Sequence, residues 1–231
     1  MTDGWGPDDA PRLHPLTYPG RWPEHSVLLT HASHHRLDPA SLDEALADRT
    51  PVLAVGSNAS PAQLRYKYAD ADPPWEMPLV LADVEGLAPG FTALVTSAGY
   101  VPATPVLGSH LRSRLFVQWL DDPQLALLDA TEPGYRRTPV DARITLPSGR
   151  VLDDCDAYVA DRGVLVDAEG APRWLCDQRS LLTQLLRESE RLRAVMGDTP
   201  DEWIERSRRR EARRAADEIL VAEGWVRNGP L

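Results

Sequence analysis

Cysteine, positive charge and long apolar runs are all scarce in this sequence, and each shortage excludes a class of protein. The two cysteines, Cys155 and Cys176, favour reduced and mostly buried thiols over a disulfide framework. Basic residues number 25 against 35 acidic ones, and the net charge of −10 disfavours binding to nucleic acid or to an anionic membrane surface. No apolar run reaches about 18 residues, so we expect no membrane-spanning helix.

The remaining composition is that of a globular protein of 231 residues, with 42% hydrophobic and 26% charged residues. Its first residues are acidic and lack the apolar core of a secretory signal, so we expect a cytoplasmic location. Without repeats or a long linker, we expect one domain with tails. These are a partly irregular arm over residues 1–50, a central domain over 51–198, and a helical extension over 199–231 packed on the same domain.

The first half of the chain predicts strands and two helices. One helix is expected over 41–47 and another over 61–68, the second with Ser60 as N-cap and Pro61 at the first helical position. Short apolar or alternating segments bounded by turn residues predict the strands. These strands are 27–30, 51–55, 78–84, 91–96 and 114–119.

The second half predicts one helix, one hairpin and a helical end. A helix is expected over 123–129 after Asp122-Pro123, and strands 138–146 and 151–159 flank the turn residues 147–149. Leucine periodicity predicts a helix over 180–196. A capping-box spacing predicts another from 199 to about 223, with Gly224 as its stop.

The segment Gly56-Ser57-Asn58 is a candidate anion site. It follows a buried strand and opens a helix, so its glycine permits unusual backbone geometry and its N–H groups are available to an anion. A plain strand-to-helix turn, in which Ser57 and Asn58 satisfy backbone groups, fits the same residues.

A carboxylate of the stretch from Leu128 to Tyr135, either Asp129 or Glu132, is a candidate general base. It lies between a predicted helix and a strand, beside apolar Leu128 and Tyr135, where partial desolvation would suit it to proton transfer near neutral pH. The alternative is an ordinary exposed acid in a loop.

Two other clusters point more weakly to function. His31, His34 and His35 resemble metal ligands, but no acid or cysteine completes a set, and a surface or hydrogen-bonding role is expected. The arginine-rich stretch 207–214 lies on a helix that is also acidic, which predicts a solvated, salt-bridged face. Ser57 lacks the G-x-S-x-G surroundings of a hydrolase nucleophile.

Taken in order, these segments resemble the gamma-glutamylcyclotransferase-like family, which includes the AIG2-like proteins. The family's Tyr-Gly-Ser-Asn corresponds to Val55-Gly56-Ser57-Asn58, with valine in place of tyrosine. Its Leu-Asp-x-x-Glu-Gly-x-x-Tyr motif, whose glutamate is the catalytic acid/base, corresponds to the stretch from Leu128 to Tyr135, with Pro133 in place of glycine. The match covers roughly residues 51–195.

The resemblance implies an α+β fold, a compact mixed β-barrel flanked by helices, with no metal or organic cofactor. It also implies cyclisation of a γ-glutamyl amine or amide to 5-oxoproline with release of the free amine, and Glu132 as the acid/base. A non-catalytic protein of the same fold that binds a small metabolite is the alternative. The substrate-binding residues implied are Val55, Gly56, Ser57, Asn58, Ala103, Thr104, Tyr135 and Tyr158.

Overall fold

The computed structural model describes residues 5–38, 46–71 and 74–228, and ten strands and six α-helices lie within these ranges. The strands are β1 Val27–Thr30, β2 His34–Arg36, β3 Thr50–Ala54, β4 Glu76–Phe91, β5 Ala103–Leu120, β6 Tyr135–Pro139, β7 Arg143–Thr145, β8 Asp156–Ala160, β9 Val164–Leu165 and β10 Val226–Arg227. The helices are α1 Pro61–Lys67, α2 Asp122–Ala130, α3 Gln178–Glu188, α4 Glu190–Met196, α5 Pro200–Arg206 and α6 Arg210–Ala222.

Eight strands form one large sheet in the order β2-β1-β4-β5-β3-β8-β6, with β7 also paired to β4. All its pairings are antiparallel except that of β3 with β8. The α+β class is confirmed, with one large, mostly antiparallel sheet and helices beside it. No closed barrel is detected among the described strands, so the barrel implied by the resemblance stays a prediction. Residues 140–142 separate β6 from β7. Of these two short strands, β6 pairs with β8 and β7 pairs with β4.

Each face of the sheet is covered by a cluster of buried hydrophobic residues, and β3 contributes side chains to both clusters. Alternate side chains of a strand point to opposite faces. Leu53 and Val55 belong to the cluster that includes residues of α3 to α6, whereas Val52 and Ala54 belong to the cluster beneath α1. Both faces of β3 are therefore apolar, as expected of a central strand.

Strand β1, helix α1 and the strand ending at Ala54 confirm the predictions for the first half. Ser60 occupies the N-cap position of α1, but its hydroxyl is buried and makes no hydrogen bond, so its expected capping bond is wrong. The helix predicted over 41–47 lies mostly outside the described residues.

The sequence predicts separate strands over 78–84 and 91–96, with the turn residues Pro89-Gly90 between them. This division is also wrong, because β4 continues to Phe91 and pairs with β5 along its length. Gly90 lies opposite Thr104, so the uninterrupted partner strand overrides the local turn signal. Residues 92–96, expected to be part of a strand, belong to an irregular loop over residues 92–100 instead.

In the second half, α2 and the hairpin turn around residues 147–149 are confirmed, with Thr138 opposite Ala157 and Thr145 opposite Val151. The strands predicted over 138–146 and 151–159 are not continuous, because residues 140–142 and 152–155 interrupt them. The helix predicted over 180–196 divides at Ser189, whose backbone is extended and whose hydroxyl accepts from the Leu192 N–H at 3.2 Å. A serine that caps a new helix ends the old one. The final predicted helix likewise divides into α5 and α6, and Gly224 ends α6 with φ 76°.

Candidate active site

Three chain segments meet beside the centre of the sheet. After β3, a 3₁₀ turn at Ser57–Ala59 carries Asn58 into α1, and α1 ends on Lys67. Glu132 follows α2 by two residues. The buried Tyr68, whose hydroxyl donates to the Gln124 carbonyl at 2.8 Å, fixes the end of α1 against α2. This contact brings residues far apart in sequence to one place.

Asn58, Lys67 and Glu132 form a closed triangle of hydrogen bonds. Glu132 Oε1 accepts from Asn58 Nδ2 at 2.8 Å and from Lys67 Nζ at 2.5 Å. Lys67 Nζ also donates to Asn58 Oδ1 at 2.8 Å. The side chains of Lys67 and Glu132 are only 10% and 16% exposed, so the carboxylate lies in a largely desolvated position with its charge compensated. Among the described residues, both hydrogen bonds to the Glu132 carboxylate end on Oε1, which leaves Oε2 for a ligand.

A tight turn places Glu132 and Tyr135. The Tyr135 N–H donates to the Glu132 carbonyl at 3.2 Å, and Gly134 has φ 86°. A proline at the second turn position and a glycine with positive φ at the third are the features of a type II turn. Pro133 therefore suits this backbone. The Tyr135 hydroxyl donates to the Ala103 carbonyl at 2.9 Å and fixes the turn to the start of β5.

The N-terminal arm contributes Tyr18 to the same place. Its hydroxyl accepts from the Ala103 N–H at 2.7 Å, and its ring stacks on Tyr100 at a centroid distance of 4.5 Å. Burial raises the pKa of Tyr18 well above its usual value, so it remains a neutral phenol. A Cβ on Gly56 would collide with this hydroxyl, which explains why glycine stands there.

Asp129 of the same motif has a different role. Its Oδ1 accepts from Arg137 Nε at 3.0 Å and from the Tyr158 hydroxyl at 2.7 Å. The Arg137 hydrogen bond is the main cause that lowers the pKa of Asp129. Burial raises the pKa of Tyr158. Asp129 thus anchors the Tyr158 ring beside the site.

A cavity of about 730 Å³ opens over this arrangement, a volume typical of small-molecule sites. Of the residues predicted from the sequence, those that line it are Val55, Gly56, Ser57, Asn58, Ala103, Glu132, Tyr135 and Tyr158. Thr104 does not line it, because its side chain points to β8 and accepts from the Ala160 N–H at 3.2 Å.

Sequence reasoning missed Lys67, although a signal for it exists. Lys67 is the only lysine in a chain that otherwise uses arginine for its basic residues. It also missed Arg12, Tyr18 and Tyr100, which line the cavity from the arm and from the loop before β5. No local pattern marks these three, since the arm has no regular spacing relative to the site.

The other clusters have local partners. The His34 ring contacts Trp5 edge-on at 4.3 Å, and His35 Nε2 lies 3.3 Å from Ser33 Oγ. Within the described ranges, no three His, Cys, Asp or Glu side chains come together in a way that could hold a metal ion. On α6, Arg214 pairs with Glu218 at 3.0 Å on the exposed face. No helix in the described part of the chain is both long and apolar enough to cross a membrane.

Two of the solved structures that resemble this chain show low similarity to it. No family model and no curated protein matches the sequence. One structure, a gamma-glutamyl cyclotransferase, is 14% identical with a TM-score of 0.38, over 75% of this chain and 99% of that chain. The other, YkqA from Bacillus subtilis, is 12% identical with a TM-score of 0.40, over 89% and 73%. Likeness at this level identifies neither a substrate nor a catalytic residue, so any function must rest on the geometry of the site.

Proposed function

We propose that this protein is a γ-glutamyl cyclotransferase, which converts a γ-glutamyl amine or amide into 5-oxoproline and the free amine. The observation that carries the proposal is the Glu132 carboxylate. It is held through Oε1 by Asn58 and Lys67 and lines the cavity together with the loop after β3.

Glu132 acts as the general acid and base. Its carboxylate takes a proton from the substrate's α-ammonium, and the freed amine attacks the γ-carbonyl carbon to form a C–N bond. The tetrahedral intermediate then collapses, the bond to the departing amine breaks, and Glu132 returns a proton to that nitrogen. Overall, the ring nitrogen loses two protons and the departing nitrogen gains two, so the enzyme ends in its starting state.

Lys67 and the loop after β3 stabilise negative charge. Two bonds of the Lys67 ammonium hold Asn58 and Glu132, and its third N–H is available to the oxyanion that forms on the γ-carbonyl. At the start of the Ser57–Ala59 turn, the Asn58 N–H has no carbonyl partner within the turn, and it is available to the substrate carboxylate. Because the attack is intramolecular, holding the glutamyl chain folded back supplies much of the acceleration.

A panel of γ-glutamyl compounds, read by mass spectrometry for 5-oxoproline, tests the proposal. We expect turnover by the wild type and a loss of about 10²–10⁴-fold in kcat for Glu132→Gln, which keeps the shape and removes the base. Glu169→Gln, at an exposed turn away from the cavity, is the matched control and should retain activity. Absence of 5-oxoproline from every compound, with both the wild type and the variant inactive, contradicts the proposal.

A non-catalytic binding protein is the second candidate, and the Lys67–Glu132 pair favours it. In such a protein the lysine would serve as a permanent partner of the carboxylate, and the loop would bind a small acidic metabolite. This candidate predicts thermal stabilisation by γ-glutamyl compounds without turnover. It also predicts that the stabilisation survives Glu132→Gln.

A further inference from the structure

Tyr18 is a buried residue of the cavity that the proposed mechanism does not use. It comes from the N-terminal arm, before the residues that carry the family resemblance, and it lines the cavity while only 3% exposed. Its ring stacks on Tyr100 with an angle of 18° between the two planes. Packing therefore fixes the place of its hydroxyl.

The arm on either side of Tyr18 is held against helix α1. Arg65 Nη1 donates to the Trp5 carbonyl at 2.7 Å. Gly20 packs so closely on the start of α1 that a Cβ there would lie 2.6 Å from Ser60 Oγ. Tyr18 lies between these two anchors, so the arm forms a fixed wall of the cavity at this point.

The Tyr18 hydroxyl lies against the loop after β3. It accepts from the Ala103 N–H at 2.7 Å, and a Cβ on Gly56 would overlap it. Burial raises the pKa of Tyr18, while hydrogen bonding by the backbone of Ala103 and of Ser57 opposes that rise. The phenolic oxygen is therefore beside Gly56 and Ser57, in the loop proposed to bind the substrate carboxylate.

The hydroxyl proton of Tyr18 has no acceptor in the described part of the chain. Within residues 5–38, 46–71 and 74–228, the oxygen accepts the bond from Ala103, but the O–H donates to no protein group. Fixing the arm to β5 needs only the acceptor. Because a buried donor without a partner is unfavourable, this O–H is left for a molecule in the cavity.

A neutral phenol at this loop favours an anionic oxygen as its partner. Burial raises the pKa of Tyr18 and keeps the proton on the oxygen, and the Ala103 N–H that donates to this oxygen polarises the O–H bond. Hydrogen bonds that end on a charged oxygen are stronger than neutral ones. The Asn58 N–H, which has no carbonyl partner within its turn, is available at the same loop. Two donors at one loop suit the two oxygens of a carboxylate.

We infer that the Tyr18 hydroxyl donates a hydrogen bond to the α-carboxylate of the γ-glutamyl group, so the N-terminal arm completes the substrate-binding site. Tyr18 then acts in binding rather than in the chemical step, in which Glu132 and Lys67 take part. This inference rests on the proposed cyclotransferase function and adds a binding residue to it.

Tyr18→Phe tests the inference, because it removes the hydroxyl and keeps the ring that stacks on Tyr100. For the most active γ-glutamyl compound of the panel, we expect KM to rise about tenfold and kcat to stay within about twofold of the wild-type value. A fall in kcat with an unchanged KM would assign the hydroxyl to the oxyanion and overturn the inference. Unchanged values of both would also overturn it.

Two ring compounds identify the carboxylate as the group that is bound. 5-Oxoproline keeps the α-carboxylate, whereas 2-pyrrolidinone has the same ring without it. By calorimetry, we expect the wild type to bind 5-oxoproline more tightly than 2-pyrrolidinone. Tyr18→Phe should weaken 5-oxoproline binding about tenfold without changing the affinity for 2-pyrrolidinone. Equal losses for both compounds, or equal affinities in the wild type, overturn the inference.

Ser26→Ala is the matched control for the lost acceptor. Ser26 lies in the same N-terminal segment, its side chain is buried away from the cavity, and its Oγ accepts from the Leu81 N–H at 3.0 Å. Both variants leave a backbone N–H without its acceptor, so both should lower thermal stability. Ser26→Ala should nevertheless leave KM and the affinity for 5-oxoproline unchanged. If it weakens binding as much as Tyr18→Phe does, the effect is structural and the inference is wrong.

A failure of the proposed function is distinguishable from a failure of this inference. If no compound of the panel yields 5-oxoproline, the cyclotransferase proposal is wrong, and the calorimetric comparison decides the inference by itself. Binding of 5-oxoproline that is weakened in Tyr18→Phe then supports a carboxylate site completed by the arm. Binding that is equal in both proteins, or absent from both, overturns it.

Discussion

Lys67 shows how a single residue combines structural and chemical roles. The chain uses arginine at every other basic position, yet a lysine lies between Asn58 and Glu132. An ammonium is a compact charge with three rotatable donors, whereas a guanidinium is a rigid planar fork. The triangle with Asn58 and Glu132 requires two donors that converge on one nitrogen, which favours lysine.

We therefore expect Lys67→Met to lower kcat about 10²-fold or more, because it removes a donor for the oxyanion and the partner of Glu132. It should also lower thermal stability, since a largely covered carboxylate loses its counter-charge. Lys67→Arg should recover stability better than activity. Steady-state kinetics and thermal denaturation measure both effects.

The double variant Lys67→Met/Glu132→Gln separates the two roles. Removing both charges should restore most of the lost stability but none of the activity. If Lys67→Met leaves kcat unchanged, its role beside Glu132 is structural only.

At the level of elements, helix boundaries are determined by individual side chains. Ser189 is 2% exposed, its hydroxyl caps α4 through Leu192, and the same hydroxyl donates to Glu223 after α6 at 3.0 Å. Leucine periodicity runs across this break without interruption. A capping serine within the leucine pattern therefore divides the one predicted helix into α3 and α4.

Ser189→Ala should lower the free energy of unfolding by about 1–2 kcal/mol, because the α4 cap and the bond to Glu223 are both lost. The matched control is Thr183→Ala within α3, whose exposed hydroxyl donates to the Arg179 carbonyl of its own helix. That change should be close to neutral. Urea denaturation compares the two, and equal effects would contradict the capping role.

At the level of the whole molecule, the C-terminal helices support one wall of the cavity. The Trp203 indole N–H donates to the Gly99 carbonyl at 2.9 Å, and Gln178 Oε1 accepts from the Val101 N–H at 2.7 Å. Asp217 Oδ1 on α6 accepts from the Val95 N–H at 2.9 Å. The loop over residues 92–100 is thus held by residues about a hundred positions later in sequence.

Asp217 makes this support dependent on pH. Its side chain is 8% exposed, and burial raises its pKa from 3.8 to about 6. The Val95 bond, Arg162 and Arg213 oppose that rise, and Glu218 adds to it. The native state therefore keeps this proton at a pH where the unfolded chain releases it. As the pH rises from about 4 to about 6, the contribution of Asp217 to the free energy of unfolding decreases.

Asp217→Asn retains an acceptor for Val95 without the charge. We expect the variant to be more stable than the wild type by roughly 1–3 kcal/mol at pH 7.5, with the difference vanishing near pH 4. Thermal or urea denaturation at both pH values measures it. The control is Glu211→Gln, at an exposed position of the same helix, and a loss of stability at pH 7.5 in Asp217→Asn would contradict the expectation.

The sequence by itself determined the features that depend on neighbouring residues. The alternation in β3, the helix start at Pro61, the hairpin turn at Gly149 and the candidate anion site at Gly56–Asn58 all follow from local chemistry. The family resemblance assigned functions to the loop and the glutamate before any contact was known. The division into arm, domain and extension, and the cytoplasmic location, stay predictions.

Only the tertiary structure decided which distant groups meet. The Lys67–Glu132 bond spans 65 positions and the Tyr18–Ala103 bond spans 85, distances at which no periodicity connects two residues. The continuity of β4 through Pro89-Gly90 depended on β5, and the places of β6 and β7 in the sheet depended on their pairing with β8 and β4. Local propensity differs by about 1 kcal/mol between residues, and pairing along a whole strand outweighs it.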